Sequence, residues 1–458
     1  LEYDLVMSAW SPGRVAEEAA RLGISVGVYQ PFHVEPVPAG RFDLTLRRAE
    51  RKLGLLAELG ARVLVCCSSR SEDGIEDDDL AAEQLRRLAD LAHARGIRLA
   101  YEAVPWGRVR TTDEAWRLVQ RTDHAALGLC LDSFHLLSQG NDPAAVADLD
   151  IGKVFHVQLA DAPRLNLDVP EWSLHYRMFP GQGSLDVAGF LGRLIAEGYD
   201  GPIALEVFND VYQQEDPRHT ATDAMRSVRA LAESVEVTGP SSAAPSSPRA
   251  VLPPAPLLHG FAFAELAADD VSGPLVARAL TALGFAHVGQ HRSKHVHLWE
   301  QGDARIVLNL TPERSIDPAT ASICALAVES AEATASMRRA ERLGAPKLAR
   351  PRGPREADLG SVATPGGTAL FFCDTGRGRQ WQRDFEPTGA SFSTPPLLRD
   401  IDHVAITESI DDFDQSALFF RAVLGLVPGE PTEVTAPFGL IRTWSASDPG
   451  ARDRLALC

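Results

Sequence analysis

Residues 1–234 alternate between short apolar runs and longer stretches in which apolar positions recur every three or four residues. The short runs predict strands. They lie at Ile24–Gln30, Arg62–Cys67, Ile97–Ala103, Ala126–Asp132, Lys153–Leu159 and Pro202–Phe208. The stretches between them predict helices at Pro12–Leu22, Leu44–Leu59, Asp78–Ala94, Asp113–Arg121, Asp186–Glu197 and Arg218–Ala232. Gly60 and Gly96 follow two of these closely, where glycine most readily ends a helix. Leu1–Leu5 reads as the tail of one more strand. Six strands and this stump predict an α/β fold, a (β/α)8 TIM barrel lacking its first βα unit. No glycine-rich phosphate loop follows the early strands, which argues against a dinucleotide-binding sheet.

The pattern then changes. Residues 235–256 are rich in Pro, Ser and Ala, cannot bury a core, and mark a linker. Residues 257–375 carry two rounds of strand, helix and further strands. The first comprises His259–Leu266, helix Pro274–Leu283, then His287–Gln290, His295–Glu300 and Ala304–Leu310. The second comprises Ala321–Val328, helix Ala331–Leu343 and strands ending in Thr368–Cys373. Residues 376–398 read as a second linker, and residues 399–458 begin another round with Ile401–Ile406 and helix Phe413–Leu424. The repeat is an α+β βαβββ module. Because the chain opens on Leu1 and stops at Cys458 in a strand-like run, it reads as a fragment at both ends.

Composition narrows the partners. A length of 458 residues suits two or three domains. The formal charge of -17 disfavours nucleic acid and anionic membrane surfaces, and no apolar run is long enough to cross a bilayer. Six cysteines form neither a CxxC pair nor a compact framework, and Cys66 and Cys67 are adjacent in an apolar strand. A reduced, cytoplasmic protein is the simplest expectation. A homo-oligomer is compatible with all of this.

Candidate chemistry gathers at strand ends, which in a barrel open onto the active-site face. Glu102, Asp132, Gln158 and Glu206 place an oxygen ligand near the ends of four consecutive strands. Three carboxylates in one mouth repel one another, since unpaired buried charge is costly. The joint pattern therefore points to a divalent metal. The plainer reading is that these acids pair with arginines or cap helices, as Asp132 would at the following turn. An all-oxygen set suits Mg2+, Mn2+ or Co2+ better than a thiolate-rich zinc site. His156 shares a strand face with Gln158 and is a rival ligand. His135, three residues past Asp132, is a proton-transfer candidate.

Five motifs in order carry a resemblance. Tyr101-Glu-Ala with Trp106-Gly-Arg, Leu131-Asp-Ser-Phe-His, Val157-Gln-Leu-Ala-Asp-Ala-Pro-Arg, Phe179-Pro-Gly-Gln-Gly and Leu205-Glu-Val-Phe-Asn-Asp resemble the bacterial 3-dehydroshikimate dehydratases. Those are sugar-phosphate-isomerase-like barrels, often fused to a 4-hydroxyphenylpyruvate-dioxygenase-like domain. The resemblance implies metal-dependent dehydration of 3-dehydroshikimate to protocatechuate through a metal-stabilised enediolate. It implies Glu102, Asp132, Gln158 and Glu206 as metal ligands, His135 as the proton-transfer residue, and Ser173 and Arg177 as substrate contacts. An arginine there offers a planar fork to a carboxylate. Three positions depart from the family pattern. His33 stands where an arginine is usual, Val109 where a histidine is, and His156 where an aromatic is. Arg70 is then a candidate, with His33, for the missing substrate contact.

The second half is similar to the vicinal-oxygen-chelate superfamily. His403 of Asp402-His-Val matches one iron ligand there, and the partner His and Glu would lie beyond residue 458, which leaves the iron site incomplete. His287, His291, His295 and His297 follow no metal spacing and read as strand and turn residues. Two other functions stay open at this point: a sugar or inositol isomerase or epimerase on the same barrel, and a degenerate barrel whose second half senses an aromatic acid.

Overall fold

The computed structural model describes residues 5, 7–238, 252–310, 320–349, 352–375, 379–390, 395–429, 431–437, 439–450 and 454–458. The chain divides into two compact units. The first runs to Pro217 and takes in the stretch from Leu231; the second holds Arg218–Ala230 and the chain beyond the linker.

In the first unit, six parallel strands lie side by side in chain order: β1 Val28–Val34, β2 Val63–Ser68, β3 Arg98–Glu102, β4 Leu127–Asp132, β5 Val154–Leu159 and β6 Ile203–Leu205. Around them lie α1 Pro12–Arg21, α2 Ala39–Leu59, α3 Asp78–His93, α4 Thr112–Thr122, α5 Ser133–Leu137, α6 Val169–His175 and α7 Val187–Ala196, and of α8 Pro217–Thr238 the stretch from Leu231 belongs to this unit. Strand β1 starts later than its apolar run suggests. Pro31 lacks an N–H to donate, and the register with β2 shifts between Tyr29 and Phe32. Of the stump Leu1–Leu5, residues 1–4 lie outside the described residues, and Leu5 is helical rather than extended. Helices α5 and α6 were not expected, being too short to show a period.

Two faces of the sheet explain the continuous apolar runs, as in other buried parallel sheets. Leu64, Leu99, Tyr101, Leu127, Leu129, Leu131, Val157 and Leu159 join one buried cluster with helix residues such as Leu53, Leu85, Leu118 and Phe190. Val63, Val65, Cys67, Ala100, Cys130 and Phe155 form a separate, smaller cluster on the other face. A Cβ on Gly128 would clash with the Lys153 carbonyl oxygen and meet the Phe155 ring at 2.7 Å, so only glycine lets β4 lie this close to β5. The period of two then carries Glu102, Asp132 and Gln158 toward the inner face at the strand ends.

The second unit begins with an eight-stranded sheet. In chain order its strands are β7 Leu258–Ala267, β8 Ala286–His291, β9 Val296–Gln301, β10 Ala304–Asn309, β11 Ser322–Ser330, β12 Gly360–Ala363, β13 Ala369–Asp374 and β14 Phe385–Pro387. Helices α9 Ser272–Ala282 and α10 Ala333–Arg342 complete the two modules. The spatial order is β12-β13-β11-β7-β10-β9-β8-β14. Residues 376–398, expected as a linker, therefore contribute a strand that pairs with β8 at the far edge from β13. His287 stacks on His297 and Trp299, in keeping with a packing role. The second unit also holds a five-stranded sheet and helix α11 Phe413–Leu424, whose Phe419, Phe420 and Val423 are buried. Among the described residues no helix is long and apolar enough to cross a membrane.

Candidate active site at the strand ends

Glu102 closes β3, Asp132 closes β4, Gln158 lies one residue from the end of β5, and Glu206 follows β6 directly. Parallel pairing sets Cys67 beside Glu102 and Asp132 beside Gln158. Glu102, Asp132 and Gln158 are buried, and Glu206 nearly so. Three acids are thus held at one mouth by the strands themselves.

Asp132 uses both oxygens. Its Oδ1 accepts from the backbone N–H of Phe134 at 2.7 Å and of His135 at 3.1 Å, capping α5. Its Oδ2 accepts from Arg177 Nη1 at 2.8 Å. Arg177, 1% exposed, also lies 3.5 Å from Glu206 Oε2 and donates to the Glu206 carbonyl at 3.1 Å. Its guanidinium sits 4.7 Å from the Phe134 ring and 5.5 Å from that of Phe208. Its remaining edge donates to Ser173 Oγ at 2.8 Å, so Ser173 on α6 holds the arginine in place. His135 Nε2 lies 3.4 Å from Glu102 Oε1, 3.8 Å from Asp132 Oδ2 and 3.5 Å from Arg177 Nη2. Its ring meets Trp106 edge-on, and its buried Nδ1 has no partner among the described residues.

Three residues that the motifs did not single out complete the shell. The Cys67 thiol donates to Glu102 Oε2 at 2.9 Å. The Gln30 side-chain amide accepts from Gln158 Nε2 and donates to Glu206 Oε1, joining the first strand to the last across 176 residues. Cys130 donates to Gln158 Oε1 at 3.1 Å. Cys67 lies next to the end of β2 and Cys130 two residues before the end of β4, whereas Gln30 lies inside β1 where its register with β2 shifts, so no common position marked them.

The electrostatics expose a charge imbalance. Burial alone would raise the Asp132 carboxyl, but Arg177 and His135 beside it bring it down to about 2. Burial, then the charges of Asp132 and Glu102, push Glu206 well above the usual carboxylate range, and Arg177 offsets this only in part. One guanidinium among three acids is too little positive charge. The expectation that the acids need a cation is therefore modified, since Arg177 already answers part of it. Ligand atoms of Glu102, Asp132 and His135 lie within 4.8 Å of one another, the spacing that one ion requires. This donor set, with Gln158 and Glu206 alongside, fits a divalent metal. His135, expected as the proton carrier, is thus close enough to compete as a ligand.

The other candidates separate. His33 is exposed and lies in register with Cys67, and so stands at the same mouth. The Arg70 guanidinium is exposed and lies 3.5 Å from Glu76. His156 is buried with Nδ1 unpartnered among the described residues, and burial lowers its pKa. His403 in the second unit is exposed and bonded to Asp402 at 2.9 Å.

Residues 7–231 match the family described as "Xylose isomerase-like TIM barrel", and residues 254–388 match "Hydroxyphenylpyruvate dioxygenase, HPPD, N-terminal". Fold and site thus define a xylose-isomerase-like barrel fused to a dioxygenase-like half. The chain is similar to a solved "xylose isomerase-like TIM barrel/4-hydroxyphenylpyruvate dioxygenase fusion protein", with a TM-score of 0.87 and 37% identity, covering 100% of this chain and 74% of that one. A 3-dehydroshikimate dehydratase of Pseudomonas putida is 37% identical over 96% of this chain and 71% of its own length. One of Pseudomonas aeruginosa is 38% identical over 100% of this chain and 73% of its own. The chain belongs to the 3-dehydroshikimate dehydratase family.

Proposed function

We propose that this chain removes water from 3-dehydroshikimate to give protocatechuate at the mouth formed by Glu102, Asp132, Gln158 and Glu206. The observation that carries the reading is the convergence of three acids on Arg177 and His135, in a chain related over its whole length to 3-dehydroshikimate dehydratases. Mg2+, Mn2+ or Co2+ held by Glu102, Asp132, Gln158 and Glu206 would polarise the substrate ketone as a Lewis acid. His135 Nε2 takes the proton beside the ketone and returns one to the departing hydroxyl, so that one water leaves and the ring becomes aromatic. Arg177 keeps Asp132 and Glu206 in position, and the edge now bonded to Ser173 is the one it can turn toward the substrate carboxylate. His33, in register with Cys67, is the candidate for a further substrate contact, and Arg70, tied to Glu76, has no part in the reading.

A cytoplasmic location is part of the same proposal, since none of the six cysteines is paired in a disulfide. An iron site in the second unit would take His403 as one ligand and needs two more. The test is direct. Chelator-treated protein is mixed with 3-dehydroshikimate, and protocatechuate is followed by its ultraviolet absorbance as Mn2+, Co2+ or Mg2+ is restored. Metal-dependent product is expected; its absence with every ion contradicts the proposal.

A further inference from the structure

Each carboxylate at the strand ends has one oxygen tied to a donor outside the acidic cluster and one turned toward it. Glu102 Oε2 accepts the Cys67 thiol, while Oε1 faces His135. Asp132 Oδ1 accepts two backbone N–H groups, while Oδ2 faces Arg177. Glu206 Oε1 accepts the Gln30 amide, while Oε2 faces Arg177. Three different donors produce one result. Each acid keeps a single oxygen on the inner side.

We propose that Cys67 and Gln30 are positioning residues that occupy the outer oxygens of Glu102 and Glu206, and that they thereby bias the site against large cations. A calcium-sized ion takes six to eight oxygens and readily binds both oxygens of a carboxylate, whereas a magnesium-sized ion accepts six at shorter range. Tying up one oxygen of each acid removes the extra ligands that the larger ion needs. For Asp132 the backbone does the tying, so Cys67 and Gln30 are where side chains set this property. Gln30 also holds Gln158 through its amide oxygen, which fixes candidate ligands beside β5 and β6 with one side chain. A buried cysteine is usually only a small apolar group. Here its sulfur lies within hydrogen-bond distance of a carboxylate oxygen.

The inference rests on the metal reading above, and the experiment separates the two. Chelator-treated full chain is titrated with Mn2+, following free ion by electron paramagnetic resonance, and with Ca2+ by competition against Mn2+. Wild type is compared with Cys67→Ala, Cys67→Ser and Gln30→Met. Loss of a group that orients a ligand typically costs about ten- to a hundredfold in metal affinity. Cys67→Ala and Gln30→Met are expected to weaken Mn2+ by about tenfold and to move the Ca2+ to Mn2+ affinity ratio toward Ca2+. Cys67→Ser keeps a hydrogen-bond donor and is expected to keep the wild-type ratio. A purely structural role lowers both affinities alike, so an unchanged ratio in Cys67→Ala and Gln30→Met overturns this inference while leaving the metal reading intact. A wild type that binds no divalent ion overturns both.

Discussion

Asp132 divides its oxygens between the backbone of α5 and the guanidinium of Arg177, so replacements should separate the two duties. Asp132→Asn keeps the capping oxygen and loses the charge, while Asp132→Ala loses both. Urea unfolding of the first unit should find the alanine variant less stable than the asparagine variant by about 1 kcal/mol, the usual worth of a cap. Both should be inactive. His135 invites a sharper contrast, because it stands near Glu102 as a ligand would and beside the substrate space as a proton carrier would. We expect His135→Gln to lower kcat by about a hundred- to ten-thousandfold while Mn2+ affinity, read by titration, changes little. A parallel collapse of Mn2+ affinity would make it a ligand instead. The acids were legible because each breaks an apolar strand. Asp132 shows why the sequence could not choose between capping, ion pairing and metal binding: one carboxylate has oxygens enough for more than one of these. Gln30 and Cys67 carry no charge and break nothing, so no local pattern marked them.

At the scale of single elements, the strands and long helices were legible because burial on two faces or on one stripe writes its period into the chain. Helices α5 and α6, five and seven residues long, are shorter than the window in which a helical period shows. They nonetheless place His135 and Ser173. The packing of β4 on β5 makes a stability prediction. Gly128→Ala would drive a methyl into the Lys153 carbonyl and the Phe155 ring. It should cost about 1–3 kcal/mol, measured as a lowered urea midpoint of the first unit. In the second unit, Glu356 accepts from Ser293 Oγ and Lys294 Nζ, which together lower its pKa to about 2 from an ordinary 4.5. A carboxyl lowered on folding adds stability above its unfolded pKa and loses it as pH falls through the folded one. Glu356→Gln should therefore lower the melting temperature slightly at pH 7, with the gap closing between about pH 4.5 and 2. A gap that widens toward acid would contradict the assignment.

Across the whole molecule, the order of elements was legible and the closure of the site was not. Alternation and linker composition are local properties, and they recovered the barrel strands and the βαβββ repeat. The stretch 376–398 misled because a three-residue strand at a sheet edge carries no pattern of its own. The link from Gln30 to Glu206 spans 176 residues and exists only once the first and last strands share a mouth. Everything proposed for the chemistry depends on that convergence. It is tested most directly by anomalous scattering at the manganese edge from crystals of the full chain grown with Mn2+. The account predicts a single peak within about 2.5 Å of Glu102 Oε1, Asp132 Oδ2 and Glu206 Oε2. A protein that turns over substrate with Mn2+ yet shows no peak among these three oxygens would contradict it.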